Sequence, residues 1–208
     1  MVGGDRIVGA LTMAGLFGTD GVRGRANEGA MTPDVALRLA QAYPERVRSL
    51  TLFEPIMVAA AGLDHPDLPK SLFAEEKPIW DAFAAGDEPL AARLFNRKWS
   101  DGGPKWPDMP EAMRAALIRG IHIVPASTPT IVEDRPGLLK PEALARVTSP
   151  VLLVSGAKTH PVVTAACEAL KKRMPEARHE VIDGAGHMAP VTHPREAADL
   201  LRSHFGRT

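Results

Sequence analysis

Short strand-like runs and amphipathic helical patterns alternate along the last third of the chain. These runs predict strands at Val151–Ser155 and Ala177–Ile182. Pro161–Met174 and Pro194–Phe205 carry apolar residues at a spacing of three and four, which predicts helices. Strands that alternate with helices pack as a parallel sheet joined by crossover connections. This part of the sequence therefore predicts an α/β fold.

One more helix and one more strand are predicted between residues 32 and 53. Thr32, Pro33 and Asp34 form a helix start, with a hydroxyl cap, a proline in the first turn and an acid near the positive end of the dipole. The apolar face that follows ends at Pro44, and Val47–Phe53 is a short β-rich run. The whole sheet then has about three strands, which is few for this architecture.

The middle of the chain carries helical signals and no convincing pair of strands. Pro78–Asn96 and Met109–Ile121 show helical periodicity and are separated by a turn rich in Gly, Pro and Trp. We interpret residues 58–140 as a helical insertion in the α/β fold.

Composition and charge exclude several classes of function. The chain is 45% hydrophobic and 24% charged, and 25 basic residues balance 25 acidic ones, so no basic excess favours a nucleic-acid partner. No apolar run reaches the roughly 20 residues of a membrane helix, and Ile7–Ala14 makes a poor signal peptide. A cytoplasmic protein is expected. The single cysteine, Cys167, lies in a helical pattern and is expected to be buried and inert.

His187 is the strongest candidate for chemistry. It lies in a glycine-flanked loop directly after a predicted strand, where an imidazole can project over the carboxyl edge of a parallel sheet. The alternative is a loop histidine that makes one structural hydrogen bond. A catalytic histidine needs an acid to orient it. Glu54 stands at a strand end beside Pro55, which suits a fixed carboxylate but also a solvated turn residue.

No nucleophile can be named from the sequence. None of the seven serines lies in a G-x-S-x-G elbow, in which small residues allow the sharp turn that exposes the hydroxyl. The histidines show no H-x-x-x-H or H-x-H spacing, and His187 with His193 gives a weak metal signal at best. We expect no metal and no cofactor.

Three segments of the chain carry a resemblance to a known family. AYPERVRSLTLFEP, PVLLVSG and GAGHMAPVTHP, with the helical stretch among them, resemble the α/β-hydrolase superfamily of the esterase, epoxide hydrolase and dehalogenase type. The resemblance covers residues 36–208. It implies His187 as general base, Glu54 as its orienting acid and residues 58–140 as a cap over the substrate pocket. In that family the acid commonly follows a later strand, and here that place reads SGAKTHPVV, without a carboxylate.

The same resemblance implies an incomplete hydrolase. The family's early strands, oxyanion loop and nucleophile elbow would precede Ala36 and are not found there. Residues 36–208 are therefore interpreted as a truncated α/β-hydrolase domain with impaired activity towards esters, epoxides or similar small apolar substrates. The alternative is a non-catalytic remnant or binding module. The edge of the Val47–Phe53 strand would then be open to self-association.

The N-terminal segment resembles a different family. LFGTDGVRGRANEGAMTPDVALRLAQA is similar to the start of bacterial phosphoglucosamine mutase over residues 16–42. We interpret residues 1–35 as a mutase-like segment, joined by gene fusion, and not as a complete domain. On this resemblance, a phosphoglucosamine mutase fragment is the third functional hypothesis. The mutase's phosphoserine loop and metal-binding aspartates have no match in this sequence. The expected partner is a small-molecule substrate, with no nucleic acid and no membrane.

Overall fold

The computed structural model describes residues 35–100 and 103–206. It also gives the backbone of Phe17–Gly18 (β1) and Gly21–Val22 (β2), which pair antiparallel. The helix predicted from Thr32 is α1, Val35–Ala42, and the proposed cap at residues 32–34 lies outside the described residues.

A parallel sheet of three strands forms the centre of the protein. Its strands are β3 (Leu50–Phe53), β4 (Val151–Gly156) and β5 (Ala177–Ile182), in the order β3-β4-β5. The register pairs Leu50 with Val151 and Val151 with Ala177, so the carboxyl ends of all three strands meet at one edge. The predicted α/β fold with a short parallel sheet is confirmed. The first strand begins at Leu50 rather than Val47, after a 3-10 turn at Pro44–Arg46.

Helices cover both faces of the sheet. The C-terminal helices are α8 (Pro161–Arg173), α9 (Ala189–Thr192) and α10 (Pro194–Phe205). One core cluster joins α1 and α8 to one face, and a second joins α9 and α10 to the other. Every residue of β4 is buried, as expected for the middle strand of a covered parallel sheet.

The described part of the middle segment contains helices and turns only. These are α2 (Val58–Asp64), α3 (Asp67–Ala84), α4 (Glu88–Trp99), α5 (Glu111–Gly120) and α6 (Ile123–Ile131), with a 3-10 turn at Trp106–Asp108. The short helix α7 (Pro141–Leu144) follows the segment. The helical pattern predicted across Pro78–Asn96 is interrupted, because Gly86 has a φ of 72° and the Asp87 side chain caps α4 at Leu90 N. No described helix has the length and apolarity needed to cross a membrane.

An ion pair joins α2 to α8 at the surface of the core. Asp64 Oδ1 and Oδ2 accept from the Arg173 guanidinium at 2.8 and 2.9 Å, and Lys172 Nζ lies 3.5 Å from Oδ1. The bidentate Arg173 contact holds the pKa of the Asp64 carboxyl well below its ordinary value, more than partial burial raises it.

This ion pair predicts a pH-dependent contribution to stability. The folded-state pKa of Asp64 lies below the ordinary value of 3.8, so the contribution is complete above that pH and is lost as the pH falls through the folded pKa. We expect Asp64→Asn to lower the urea midpoint near neutral pH, and the difference from wild type to shrink in acid. Asp67→Asn, which removes an exposed contact with Lys70, should change the midpoint little at either pH. Equal losses for Asp64→Asn at both pH values would contradict the assignment.

Candidate active site at the carboxyl edge of the sheet

Glu54 directly follows β3 and has an unusual backbone conformation. Its φ is 49°, in the left-handed region that non-glycine residues seldom adopt. Its backbone N–H still donates to Val154 O at 2.7 Å, so the ladder between β3 and β4 continues through this residue. The chain thus turns sharply at Glu54 while the residue stays fixed to the sheet. Such backbone strain is often found at functional sites.

The loop after β4 holds the Glu54 carboxylate. Gly156 N–H donates to Oε1, and the Thr159 hydroxyl donates to Oε2. A Cβ at Gly156 would lie 2.4 Å from Ala185 O, so only glycine permits the close approach of this loop to the histidine loop. This loop is the SGAKTHPVV segment in which the sequence showed no carboxylate. It supplies hydrogen-bond donors to a carboxylate from the neighbouring strand instead.

His187 meets Glu54 at the same edge. The loop after β5 turns through Gly184, whose φ is 74°, and brings His187 Nδ1 to 3.0 Å from Glu54 Oε2. The Glu54 side chain is 4% exposed and that of His187 is 19% exposed. Because a carboxylate only accepts, Nδ1 is the protonated nitrogen and Nε2 carries the lone pair of the neutral ring. Nε2 makes no hydrogen bond with any described residue, and the imidazole lines a cavity.

Trp99 packs against the imidazole from the helical segment. Its ring centroid lies 5.0 Å from that of His187, in an edge-to-face arrangement at 62°. The indole N–H donates to Glu76 Oε1 at 2.9 Å, so α3 fixes the position of this ring at the end of α4. Trp80 and Trp99 line the cavity, whereas Trp106 packs in a separate cluster among α3, α4 and α5.

A cavity of about 660 Å³ opens beside His187. Its walls come from the carboxyl end of β3 and from helices α3, α4 and α6, and most of its lining residues are apolar. The polar residues that line it are Thr51, Glu54, Glu76, Ser127, Thr128 and His187. A mostly apolar cavity with a few convergent polar groups is the usual form of a small-molecule site.

No serine or cysteine occupies the position of a nucleophile. All seven serines and the single cysteine lie among the described residues, and none hydrogen bonds to His187. Ser127 is the serine that lines the cavity, and its hydroxyl donates to Val124 O. Cys167 is fully buried in α8, and burial raises the pKa of its thiol to about 12.

A second chain of serine, histidine and glutamate runs from buried Ser155 to exposed Glu168. Ser155 Oγ is 2.8 Å from His179 Nε2, and His179 Nδ1 is 2.6 Å from Glu168 Oε1. The hydrogen bond from His179 lowers the pKa of Glu168. Ser155 is 0% exposed, so no substrate can reach its hydroxyl. This chain links β4, β5 and α8 as a structural element.

Among the described residues, no group of three or more His, Cys, Asp or Glu could hold a metal ion. His193, considered from the sequence as a weak partner for His187, lies 2.8 Å from the Thr192 hydroxyl through its Nδ1.

The sheet is parallel, and a histidine and a carboxylate are paired at its carboxyl edge, beside an apolar cavity. This combination defines a hydrolase-like α/β protein. The chain belongs to the alpha/beta hydrolase family, whose family model matches residues 3–200. Pimeloyl-[acyl-carrier protein] methyl ester esterase of Aromatoleum aromaticum is 29% identical over 169 residues, which are 80% of this chain and 68% of the esterase.

Solved structures show the same fold. A hydrolase from Pseudomonas aeruginosa matches with a TM-score of 0.56 and 21% identity, over 85% of this chain and 62% of that protein. Proline iminopeptidase of Mycobacterium smegmatis matches with a TM-score of 0.53 and 21% identity, over the same shares of 85% and 62%. The chain thus spans less than two thirds of these two structures. The comparisons give no support to the mutase resemblance of residues 16–42.

The geometry predicts one tautomer for neutral His187. We expect the proton on Nδ1, where Glu54 accepts it, and a lone pair on Nε2. Two-dimensional ¹⁵N–¹H spectra of the imidazole distinguish the two forms. Glu54→Ala should remove this preference, whereas exposed His65, whose side chain bonds to no described residue, should have the same spectrum in both proteins. An Nε2–H tautomer in the wild type would contradict the prediction.

Proposed function

We propose that this chain is an ester hydrolase that acts on small apolar substrates through His187 and Glu54. The observation that carries the proposal is the hydrogen bond from His187 Nδ1 to the buried Glu54 carboxylate, beside an apolar cavity. Esters are preferred to epoxides because the sequence relative at 29% identity is a methyl ester esterase. In the same proposal, residues 58–140 act as the cap that shapes the pocket.

The proposed reaction needs no reactant beyond the ester and water. Nε2 of neutral His187 removes a proton from water as its oxygen attacks the ester carbonyl, and Glu54 stabilises the imidazolium that forms. The tetrahedral intermediate then expels the alkoxide, which takes the proton from Nε2 and leaves as the alcohol. The products are a carboxylic acid and an alcohol, and His187 returns to its neutral form.

We further propose that this turnover is slow. A nucleophilic hydroxyl and an oxyanion hole supply several orders of magnitude in related chemistry, and no serine or cysteine stands at Nε2. General-base assistance alone contributes about 10²- to 10⁴-fold. An activated ester with a good leaving group is therefore the substrate of choice for detecting the reaction.

The test is hydrolysis of p-nitrophenyl butyrate by the purified chain. We expect His187→Ala to remove the general-base contribution, about 10²- to 10⁴-fold in kcat/KM, and Glu54→Gln to cause a smaller loss. His65→Ala, at an exposed position, should leave the rate unchanged. A serine-directed fluorophosphonate should not label the chain stoichiometrically. Wild-type rates in His187→Ala, or labelling of one serine per chain, would overturn the proposal.

A second candidate is a non-catalytic module that associates with a copy of itself through β3. No strand in the described part of the chain pairs with the outer edge of β3. The N–H groups of Leu50 and Glu54 donate towards β4, so by alternation those of Thr51 and Phe53 point to the outer edge. An unpaired edge of this kind favours strand pairing between molecules.

Size-exclusion chromatography with light scattering tests this candidate. We expect wild type to form dimers in a concentration-dependent manner and Thr51→Pro to be monomeric, because proline removes an outward N–H while the bonds to β4 remain. Thr51→Val keeps the N–H and should behave as wild type. A wild-type monomer at all concentrations would exclude association through this edge.

A further inference from the structure

The cavity contains a second polar position, away from the Glu54–His187 pair. Glu76 of α3 lines the cavity and is 8% exposed. Its Oε1 accepts the Trp99 indole N–H, and its Oε2 accepts no hydrogen bond from any described residue. Glu76 is therefore a buried carboxyl group with one oxygen left for a ligand.

A buried donor stands one helical turn further along α3. Trp80 follows Glu76 by four residues, so both side chains lie on the same face of the helix, and both line the cavity. The Trp80 indole N–H is buried and makes no hydrogen bond with a described residue, although its interaction with Glu76 helps to lower the pKa of that carboxyl group. Phe73 and Phe83 pack against the Trp80 ring and hold it in place. Their ring centroids lie 6.4 and 5.7 Å from that of Trp80.

The Trp80 indole N–H has lost its contact with water without gaining a partner among the described residues, which costs free energy, and Glu76 Oε2 is left without a described donor. A ligand group that donates to Glu76 Oε2 and accepts from Trp80 Nε1 would satisfy both at once. Burial raises the pKa of Glu76, more than the Trp99 hydrogen bond and the charge of Lys98 lower it. An acceptor and a donor side by side favour a neutral hydroxyl or amide, which both donates and accepts, over an ammonium, which has no acceptor for the Trp80 N–H.

We propose that Glu76 and Trp80 recognise a neutral hydroxyl or amide on the non-reacting part of the substrate. The proposal rests on the proposed function, in that it takes the cavity beside His187 as the substrate pocket. Trp99 contacts both Glu76 and the His187 ring, so one indole separates this position from the reacting end. The substrate class is then an ester whose apolar chain ends in a hydroxyl or an amide, rather than a plain alkyl ester.

Calorimetric binding of ketones that cannot be hydrolysed tests this recognition without turnover. The three probes are 8-hydroxy-2-octanone, its methyl counterpart 2-nonanone, and 8-amino-2-octanone as the ammonium. We expect the wild type to bind the hydroxyl probe at least about fivefold more tightly than the methyl probe, because the hydroxyl gains two hydrogen bonds. The ammonium probe should bind no better than the methyl probe.

Two conservative variants remove one polar group each. Trp80→Phe keeps the ring and loses the N–H, and Glu76→Gln keeps an acceptor for Trp99 but changes the group offered to the ligand. Both should lose the preference for the hydroxyl probe, whereas Asp81→Asn, an exposed change on the same helix, should retain it.

His187→Ala should also retain the preference, so a failure of the hydrolase proposal is distinguishable from a failure of this one. Equal binding of the hydroxyl and methyl probes to the wild type would overturn the recognition of a hydroxyl. A preference that persists in both Glu76→Gln and Trp80→Phe would overturn the role of these residues. Tightest binding of the ammonium probe would assign a cation site instead.

Discussion

The Glu54 carboxylate is the group on which the arrangement of the site depends. It accepts from Gly156 N–H, the Thr159 hydroxyl and His187 Nδ1, so one buried anion ties together the ends of all three strands. A buried carboxylate is costly unless donors surround it, and these three donors offset that cost. They can converge only because the strands are parallel and in register, which brings their carboxyl ends to the same edge.

The helical segment takes part in the site through aromatic packing. Trp99 contacts the His187 ring and donates to Glu76, so α3 and α4 are held against the carboxyl edge of the sheet. His160 Nε2 lies 3.3 Å from Glu75 of α3, and Lys98 of α4 pairs with the same carboxylate at 2.6 Å. The pKa of Glu75 is lowered chiefly by this Lys98 contact. The cavity wall and the imidazole are thus positioned by one connected set of contacts.

Two histidines show that residue type alone does not define an active site. His187 and His179 each contact a glutamate through Nδ1, and His179 even has a serine at Nε2. Ser155 is inaccessible within β4, whereas His187 lines a cavity large enough for a small molecule. Access to a ligand, rather than the order of residues in a hydrogen-bonded chain, separates the candidate site from a structural link. The catalytic roles of His187 and Glu54 stay predictions.

Local periodicity was sufficient to predict the strands β4 and β5, the helices beside them and the helical nature of the middle segment. It also singled out His187 and Glu54, because a glycine-rich loop and a strand end are local features. It missed the break at Gly86, where one positive φ interrupts an unbroken apolar pattern. The roles of Gly156, Thr159 and Trp99 were decided by the tertiary structure alone. The hydrogen bond between Glu54 and His187 joins residues 133 positions apart, and contacts over such distances depend on sheet register and helix packing, which no local pattern encodes.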